Sequence, residues 1–247
     1  MSGSRRETIP DSDGGQPAVS SAMPLTRWLL REAVARLEKQ YGAQRFPVRD
    51  PFESVLWECC AYLVDDARRA KVYARLLNAT GGSPKRIAAM KLGALAELVA
   101  ADGGMQPARR ADKLQRAANL ALEVGVAELR RQCRDDPRRA RTVLKRFPGI
   151  GDPGADKLLM IAGSLRTLAP ESNGARVLCR LGFGKSDPRY DRMYRSVVAA
   201  TEPELPAQSA WLSKAHLLLR LHGKTLCKRA APRCRQCPLA SRCPSAR

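Results

Sequence analysis

Four cysteines near the end of the sequence are the residues whose type and spacing point most directly to chemistry. Cys227, Cys234, Cys237 and Cys243 follow the pattern C-x6-C-x2-C-x5-C. The stretch from Cys227 to Arg247 is rich in Lys and Arg, contains no Asp or Glu, and has few apolar residues that could form a core. Four thiolates around a metal centre would fix such a segment in place of hydrophobic packing.

A metal-binding role for these cysteines agrees with the rest of the sequence. The chain has eight cysteines, but the stretch after Met1 lacks the apolar segment of a secretory signal. No stretch reaches the roughly 20 apolar residues of a membrane span. We therefore expect a reducing, intracellular location, cytoplasmic or nucleoid-associated, with no membrane partner, where clustered cysteines bind metal. Zinc and iron–sulfur both remain open, although most zinc ribbons use two C-x2-C pairs and this chain has one.

The charge balance indicates a polyanionic partner. Lys and Arg number 44 against 24 Asp and Glu, which gives a net charge of +20. Nucleic acid is the commonest polyanion that so basic a surface attracts. The alternative is a solvated basic surface without a specific partner.

A glycine-rich turn forms the second chemical motif. Phe147–Gly151 reads Phe-Pro-Gly-Ile-Gly and joins a basic segment ending at Arg146 to a predicted helix from about Pro153 to Ile161. Two glycines permit a tight reversal, and the exposed N–H groups with the positive end of the next helix can hold a phosphate. Many helical hairpins use such a turn structurally. The candidate phosphate-binding residues are Pro148, Gly149, Ile150 and Gly151.

These motifs must be positioned by helices. Ala, Leu and Arg are abundant, aromatic residues make up 5% of the chain, and no long alternating Val/Ile/Thr run predicts strands. Asp50-Pro51 is typical of a helix start, with Asp50 as the cap. Residues 1–21 are rich in Ser, Gly and Pro, which predicts a disordered tail. We expect an all-α fold with a helix-hairpin-helix at about residues 140–162.

Taken together, the motifs resemble the endonuclease III family of helix-hairpin-helix DNA glycosylases over roughly residues 46–247. Phe147–Gly151 is similar to that family's Leu-Pro-Gly-Val-Gly turn, and Leu221–Lys224 is similar to its lead-in to the cysteines. Pro51–Glu53 resembles the opening of the family's first barrel helix. The cysteine spacing is the most specific match, and in the family it holds a 4Fe–4S cluster.

The resemblance implies a two-domain fold. A six-helix barrel would comprise residues 46–164, and an iron–sulfur cluster domain would comprise 22–45 and 165–247. Double-stranded DNA, damaged or mismatched, would lie across the cleft between them, with one base flipped into the pocket. Basic residues of the cluster loop would contact phosphates, and the chain would act as a monomer. These loop residues are Lys228, Arg229, Arg233 and Arg235.

The sequence departs from the family at the nucleophile. Bifunctional members carry a lysine two residues past the second glycine of the hairpin, where its amine forms a Schiff base with the sugar. This chain has Pro153 at that position. Lys157 lies one helical turn further on and could replace it, although we expect an ordinary surface lysine there.

The family's catalytic aspartate corresponds to a glutamate. Matching Arg176-Val177 to the family's Arg-Val places Glu171 at the aspartate position, where a carboxylate would stabilise a cationic sugar or activate water. The alternative is that Glu171 only complements the helix dipole, with Ser172 or Asn173 as the cap.

Three further residues correspond to positions where the family fills the gap left by the flipped base or lines its pocket. They are Tyr62, Leu63 and Gln106, and each residue type is more often found in a core than at such a wedge. His216 and His222 have no second ligand at metal-binding spacing, so we expect structural roles.

Three hypotheses follow for function. The first is a DNA glycosylase of base-excision repair that removes a base by hydrolysis, with Glu171 as the acidic residue and without the lysine-dependent lyase step. The second is a protein that binds distorted DNA on the same scaffold without catalysis. The third is a lyase that acts at abasic sites through Lys157 or another amine.

Overall fold

The computed structural model describes residues 28–101 and 104–246, and in this part of the chain all regular elements are helices, without β-strands. The predicted tail, residues 1–21, lies outside the described residues, as do residues 22–27 of the predicted cluster domain. Twelve α-helices occur in the described part: α1 Leu30–Tyr41, α2 Pro51–Cys60, α3 Asp66–Thr80, α4 Pro84–Ala89, α5 Leu92–Ala100, α6 Pro107–Val124, α7 Val126–Asp135, α8 Pro137–Leu144, α9 Asp152–Ala162, α10 Ser172–Arg180, α11 Tyr190–Thr201 and α12 Ser209–Thr225. None of these helices is both long and apolar enough to cross a bilayer.

Side-chain caps explain where several helices begin. The Asp50 carboxylate accepts hydrogen bonds from the amides of Phe52 and Glu53, each at 3.1 Å, and Pro51 occupies the first turn of α2. Asp65 caps α3 in the same way by accepting from the Arg68 amide at 2.8 Å. Each cap satisfies amides that have no partner inside the helix. The predicted helix start at Asp50 is confirmed.

Two hydrophobic clusters are buried in the described residues. The first core is formed by α2–α9 between Val48 and Leu159. The second core combines α1 with residues that follow Met160, including those of α10, α11 and α12. Helix α9 contributes to both, because Leu158 and Leu159 pack in the first core while the next two residues pack in the second. The domain boundaries expected from the sequence remain a prediction.

A glycine on α12 lets α10 and α12 pack closely. A Cβ at Gly223 on α12 would lie 2.5 Å from the carbonyl oxygen of Asn173, which is closer than real Cβ contacts come. A Cβ at Gly174 on α10 would lie 3.5 Å from the Leu219 side chain, an ordinary van der Waals contact that does not require glycine. Backbone at Asn173 cannot yield as a flexible side chain would, so α12 requires glycine at position 223.

We therefore expect Gly223→Ala to lower the free energy of unfolding by about 1–3 kcal/mol, because the added methyl group forces the two helices apart. Gly93→Ala is the matched control, since a Cβ at Gly93 in α5 meets nothing within 4 Å. That change should be neutral or slightly stabilising, because alanine favours a helix over glycine. Urea unfolding measures both; equal effects would contradict the proposed close packing.

Candidate functional site

A cleft lies between helices of the two cores, and we call it the central cleft. Its volume is about 310 Å³. One wall comes from α2, α3 and α9, and the other from the start of α10 and from α12. The residues that matter for its chemistry are Trp57, Glu58, Asp66, Arg69, Lys157, Glu171, His216 and Arg220.

Glu171 stands at the N-cap position of α10, in extended backbone conformation, with no side-chain bond to the helix amides. Its carboxylate instead accepts a hydrogen bond from Asn173 Nδ2 at 3.0 Å and lies 3.4 Å from Arg220 Nε. The side chain remains 36% exposed and lines the central cleft. Neither Ser172 nor Asn173 is the cap, so that expectation is wrong. The carboxylate is directed into the cleft, where it can face a ligand.

Arg220 connects the two walls of the cleft. Its Nη1 and Nη2 atoms each donate to Asp66 on α3 at 2.5 Å, and its Nε faces Glu171. Burial would lower the pKa of Arg220, but the hydrogen bonds and charge of Asp66 and Glu171 outweigh burial and raise it. The same hydrogen bonds lower the pKa of Asp66. The guanidinium therefore stays charged between two carboxylates.

Lys157 is not a surface lysine, and the expectation of one is wrong. Its side chain is 17% exposed, and Nζ lies 2.8 Å from the carboxylate of Glu58 on α2. Burial raises the pKa of Glu58, but Lys157, and then Arg69 and His216, bring it below its usual value. An ammonium–carboxylate pair therefore lies inside the cleft.

His216 lies beside this pair and is buried. Its Nδ1 is 2.7 Å from the carbonyl oxygen of Ala169, and its ring packs against Phe46 with centroids 5.3 Å apart. Burial and the nearby Lys157 charge lower the pKa of His216 to about 4. The imidazole is therefore neutral near pH 7.

The glycine-rich turn joins α8 to α9 as predicted. Gly149 has φ +83°, in the left-handed region that favours glycine. A Cβ there would lie 3.1 Å from Lys113 Nζ, so the turn has an ammonium group beside it. Pro153 lies in the first turn of α9, next to Asp152, whose carboxylate pairs with Lys145 at 2.6 Å. The usual position of the nucleophile therefore holds no amine.

Tyr62, Leu63 and Gln106 come together on two adjacent loops. The Met105 amide donates to the Tyr62 carbonyl at 3.3 Å, which joins the loops. Leu63 and Gln106 both have positive φ, 55° and 56°, which is uncommon for residues other than glycine. Tyr62 is 49% exposed and Leu63 69%. None of the three lies in the core, and Tyr62 and Leu63 present apolar side chains to solvent.

Buried Arg110 holds those loops in place. Its Nη1 donates to the carbonyl oxygens of Cys60 and Val99 at 2.9 Å, and its Nη2 donates to that of Gly104 at 3.4 Å. One guanidinium thus provides hydrogen-bond donors to backbone carbonyl oxygens at the end of α2, at the end of α5 and in the loop before α6.

The four C-terminal cysteines line one cavity, together with His222. All four thiols are free. Arg180 Nη1 donates to the sulfur of Cys227 at 3.3 Å, and the Leu239 amide donates to that of Cys237 at 3.4 Å. Within residues 28–101 and 104–246, no three His, Cys, Asp or Glu side chains meet the geometry of a single metal ion.

His222 lies closer to these cysteines than the sequence suggested. Its Nε2 is 3.5 Å from the Cys237 sulfur, and its Nδ1 is 2.9 Å from the Tyr41 hydroxyl. The basic side chains of the loop are exposed, and one of them, Arg233, lines the cavity. They are Lys228, Arg229, Arg233 and Arg235.

Helix α10 connects the cysteine loop to the cleft. Arg176 donates to the carbonyl oxygens of Gly223 at 2.7 Å and Cys227 at 3.2 Å. Arg180, one turn later, donates to those of Lys228 at 2.7 Å and Arg229 at 3.1 Å. The helix that starts at Glu171 therefore fixes the cysteine loop at its other end.

Three charged residues of the cleft, Glu58, Asp66 and Arg220, were not predicted from the sequence. The sequence does indicate two of them. Glu58 and Arg220 are each a single charged residue in an otherwise apolar helical run; the runs are Val-Leu-Trp-Glu-Cys-Cys and Leu-Leu-Leu-Arg-Leu. A charge on a core-facing position needs a partner or a ligand. Asp66 follows Asp65 in a helix start and gave no such signal.

A hairpin between α8 and α9, a cleft between two helical cores and a four-cysteine loop define the fold of the endonuclease III-like helix-hairpin-helix glycosylases. The chain resembles a solved structure of a trapped endonuclease III–DNA covalent intermediate with a TM-score of 0.67 and 23% identity, over 88% of this chain and 95% of that one. A thermostable thymine-DNA glycosylase gives a TM-score of 0.66 at 15% identity, over 88% and 96%. The predicted all-α fold is confirmed.

Sequence relatives agree with the fold. Endonuclease III of Rickettsia prowazekii is 31% identical over 102 residues, which is 40% of this chain and 44% of that protein. The human adenine DNA glycosylase is 32% identical over 108 residues, 43% of this chain and 19% of that protein. The alignments thus span less than half the length of the relatives, and no protein-family profile matches the chain. The resemblance to the endonuclease III-like glycosylases is confirmed.

Proposed function

We propose that this protein is a DNA glycosylase of base-excision repair that removes a damaged or mismatched base by hydrolysis. The observation that carries the proposal is the carboxylate of Glu171, which faces the central cleft from the N-cap of α10. Pro153 stands where a lysine would make the reaction bifunctional. The similarity to endonuclease III and to an adenine DNA glycosylase supports the same reaction class.

In this reaction the bond between sugar C1′ and the base nitrogen breaks, and its electron pair leaves with the base. The positive charge that develops on the sugar is stabilised by the Glu171 carboxylate. Water then bonds to C1′ and loses a proton to that carboxylate. Overall, one water supplies the hydroxyl group of the abasic sugar and the proton that the released base gains.

Three surface features would bind the DNA. Within the hairpin Pro148–Gly151, the Gly149 and Gly151 amides, with the N-terminus of α9, would hold one phosphate. The exposed basic side chains of the cysteine loop, Lys228, Arg229, Arg233 and Arg235, would hold others, and the net charge of +20 favours a polyanion. Tyr62, Leu63 and Gln106 would fill the gap left by the flipped base.

Glu171→Gln should abolish base release, with a loss of about 100-fold or more, because the amide carries no negative charge for the sugar cation. Glu202→Gln is the matched control, since Glu202 is exposed and lies outside the central cleft. The assay incubates a panel of lesion and mismatch duplexes with each protein, with and without alkali. Strand breaks that need alkali indicate hydrolysis alone.

Tight duplex binding without release from any member of the panel would contradict the glycosylase proposal. That outcome would favour the non-catalytic binder on the same scaffold, whose affinity would fall steeply with salt and would not depend on Glu171.

A second candidate activity is a lyase that acts at abasic sites. The observation that favours it is the placement of Lys157, whose half-buried side chain lines the same cleft as Glu171. The amine would attack C1′ of the opened abasic sugar and form an imine with loss of water. Its pairing with Glu58 opposes this, because a protonated amine is not a nucleophile.

Borohydride trapping on abasic DNA tests the lyase directly. If Lys157 forms the imine, reduction gives a covalent protein–DNA adduct that disappears in Lys157→Met and persists in Lys145→Met. Lys145 is the matched control because it lies near the hairpin and pairs with Asp152 outside the cleft. Absence of any adduct with the unaltered protein rules the lyase out.

We propose that Cys227, Cys234, Cys237 and Cys243 hold a 4Fe–4S cluster. These residues fit a 4Fe–4S cluster. Four thiols outside any disulfide line one cavity, and N–H donors face the sulfurs of Cys227 and Cys237. When bound, such a cluster would stabilise the loop rather than take part in hydrolysis. A Cys₄ zinc site is the alternative.

Anaerobically purified protein should therefore contain four irons per chain and show broad visible absorbance, and zinc should be absent. Cys237→Ser should lose the iron and lower the melting temperature, because the loop has little apolar surface of its own. Cys179→Ser is the control, since this cysteine on α10 lies outside that cavity. Stoichiometric zinc in place of iron would contradict the cluster.

A further inference from the structure

Arg220 is a charged cleft residue to which the proposed reaction has so far given no role. Its side chain is 17% exposed. Its two terminal nitrogens bond to Asp66 at 2.5 Å, and its Nε lies 3.4 Å from Glu171. One guanidinium thus joins α3, in the first core, to the start of α10, in the second.

The environment of Arg220 explains why an arginine is required for this arrangement. The guanidinium has donors in a planar fork, so two nitrogens can serve one carboxylate while the third faces another. Lysine has a single ammonium group at the end of its chain and cannot span both carboxylates with the same geometry. The close packing at Gly223, one turn beyond Arg220 on α12, fixes the distance from this side chain to α10.

We infer that Arg220 is a positioning residue for Glu171, an inference that rests on the proposed function. Without the guanidinium, Glu171 would keep only the contact with Asn173 among the contacts described for it, while Asp66 would still lie 3.8 Å from Lys224 Nζ. Glu171 would then lack the cation that orients it, and its carboxylate would be free to turn away from the sugar. A displacement of about 1 Å at a catalytic group can cost about 100-fold in rate.

If Arg220 had only a structural role, the variants would behave differently. A substitution at Asp66 distinguishes a structural role of Arg220 from a positioning role. If Arg220 only clamps the walls of the cleft through Asp66, then Asp66→Asn removes most of that clamp and should be as harmful as Arg220→Met. If Arg220 positions Glu171, Asp66→Asn should be much less harmful, because the guanidinium remains and can bond fully to Glu171.

The experiment measures the single-turnover rate of base release, the duplex dissociation constant and the melting temperature for four variants of the full chain. They are Arg220→Met, Arg220→Lys, Asp66→Asn and Glu171→Gln. The duplex is one from which the unaltered protein releases a base.

We expect the rate to fall about 100-fold in Arg220→Met, with a smaller loss in Arg220→Lys and the smallest in Asp66→Asn, while the dissociation constant changes little. If Arg220→Met does not fold, Arg220→Lys takes its place in the comparison with Asp66→Asn. Equal rate losses in the Arg220 and Asp66 variants, or a loss confined to binding or melting temperature, would overturn the inference.

The Glu171→Gln variant keeps the two proposals apart. If it releases base at the unaltered rate, the proposed function of Glu171 fails, and positioning by Arg220 fails with it. If it is inactive while the Arg220 variants keep the unaltered rate, only the role of Arg220 fails.

Discussion

The close packing of α10 against α12 is the constraint on which the candidate site depends. Gly223 brings α12 against the backbone of Asn173, two residues after the N-cap of α10. That contact places Arg220 next to Glu171 at one end. At the other end, Arg176 and Arg180 on α10 bind the carbonyl groups that begin the cysteine loop. One helix therefore determines both the position of a carboxylate in the cleft and the attachment of a basic loop.

The charged side chains that line the cleft form ion pairs with one another instead of being solvated separately. Glu58 pairs with Lys157, and Asp66 and Glu171 share Arg220. Isolated charges in such a site would be costly to desolvate, and pairing reduces that cost while keeping the groups ionised. The pairs come from different helices, so the cleft has a defined electrostatic pattern only when both cores are folded.

Local features were predictable from the sequence, and tertiary ones were not. The Asp50 cap, the hairpin at Gly149 and the cysteine spacing each depend on residues close in sequence, where capping and turn rules apply. The placement of Lys157 in the cleft depends on its ion pair with Glu58, which lies about a hundred residues earlier. No rule based on neighbouring residues predicts this pair. Arg220 and Glu58 were detectable as charges in apolar runs, but their partners required the packed helices.

The position of helix α9 affects how the protein would bind DNA. The chain crosses between the cores twice, once through the non-helical residues between α1 and α2 and once within α9, whose residues pack in both cores. A hinge needs a few backbone positions that are free to rotate, and a packed helix offers none. Helix α9 therefore limits the relative movement of the two cleft walls at its own crossing. In the proposed complex part of the deformation would then fall on the duplex, and DNA sites that kink or unstack easily would be favoured.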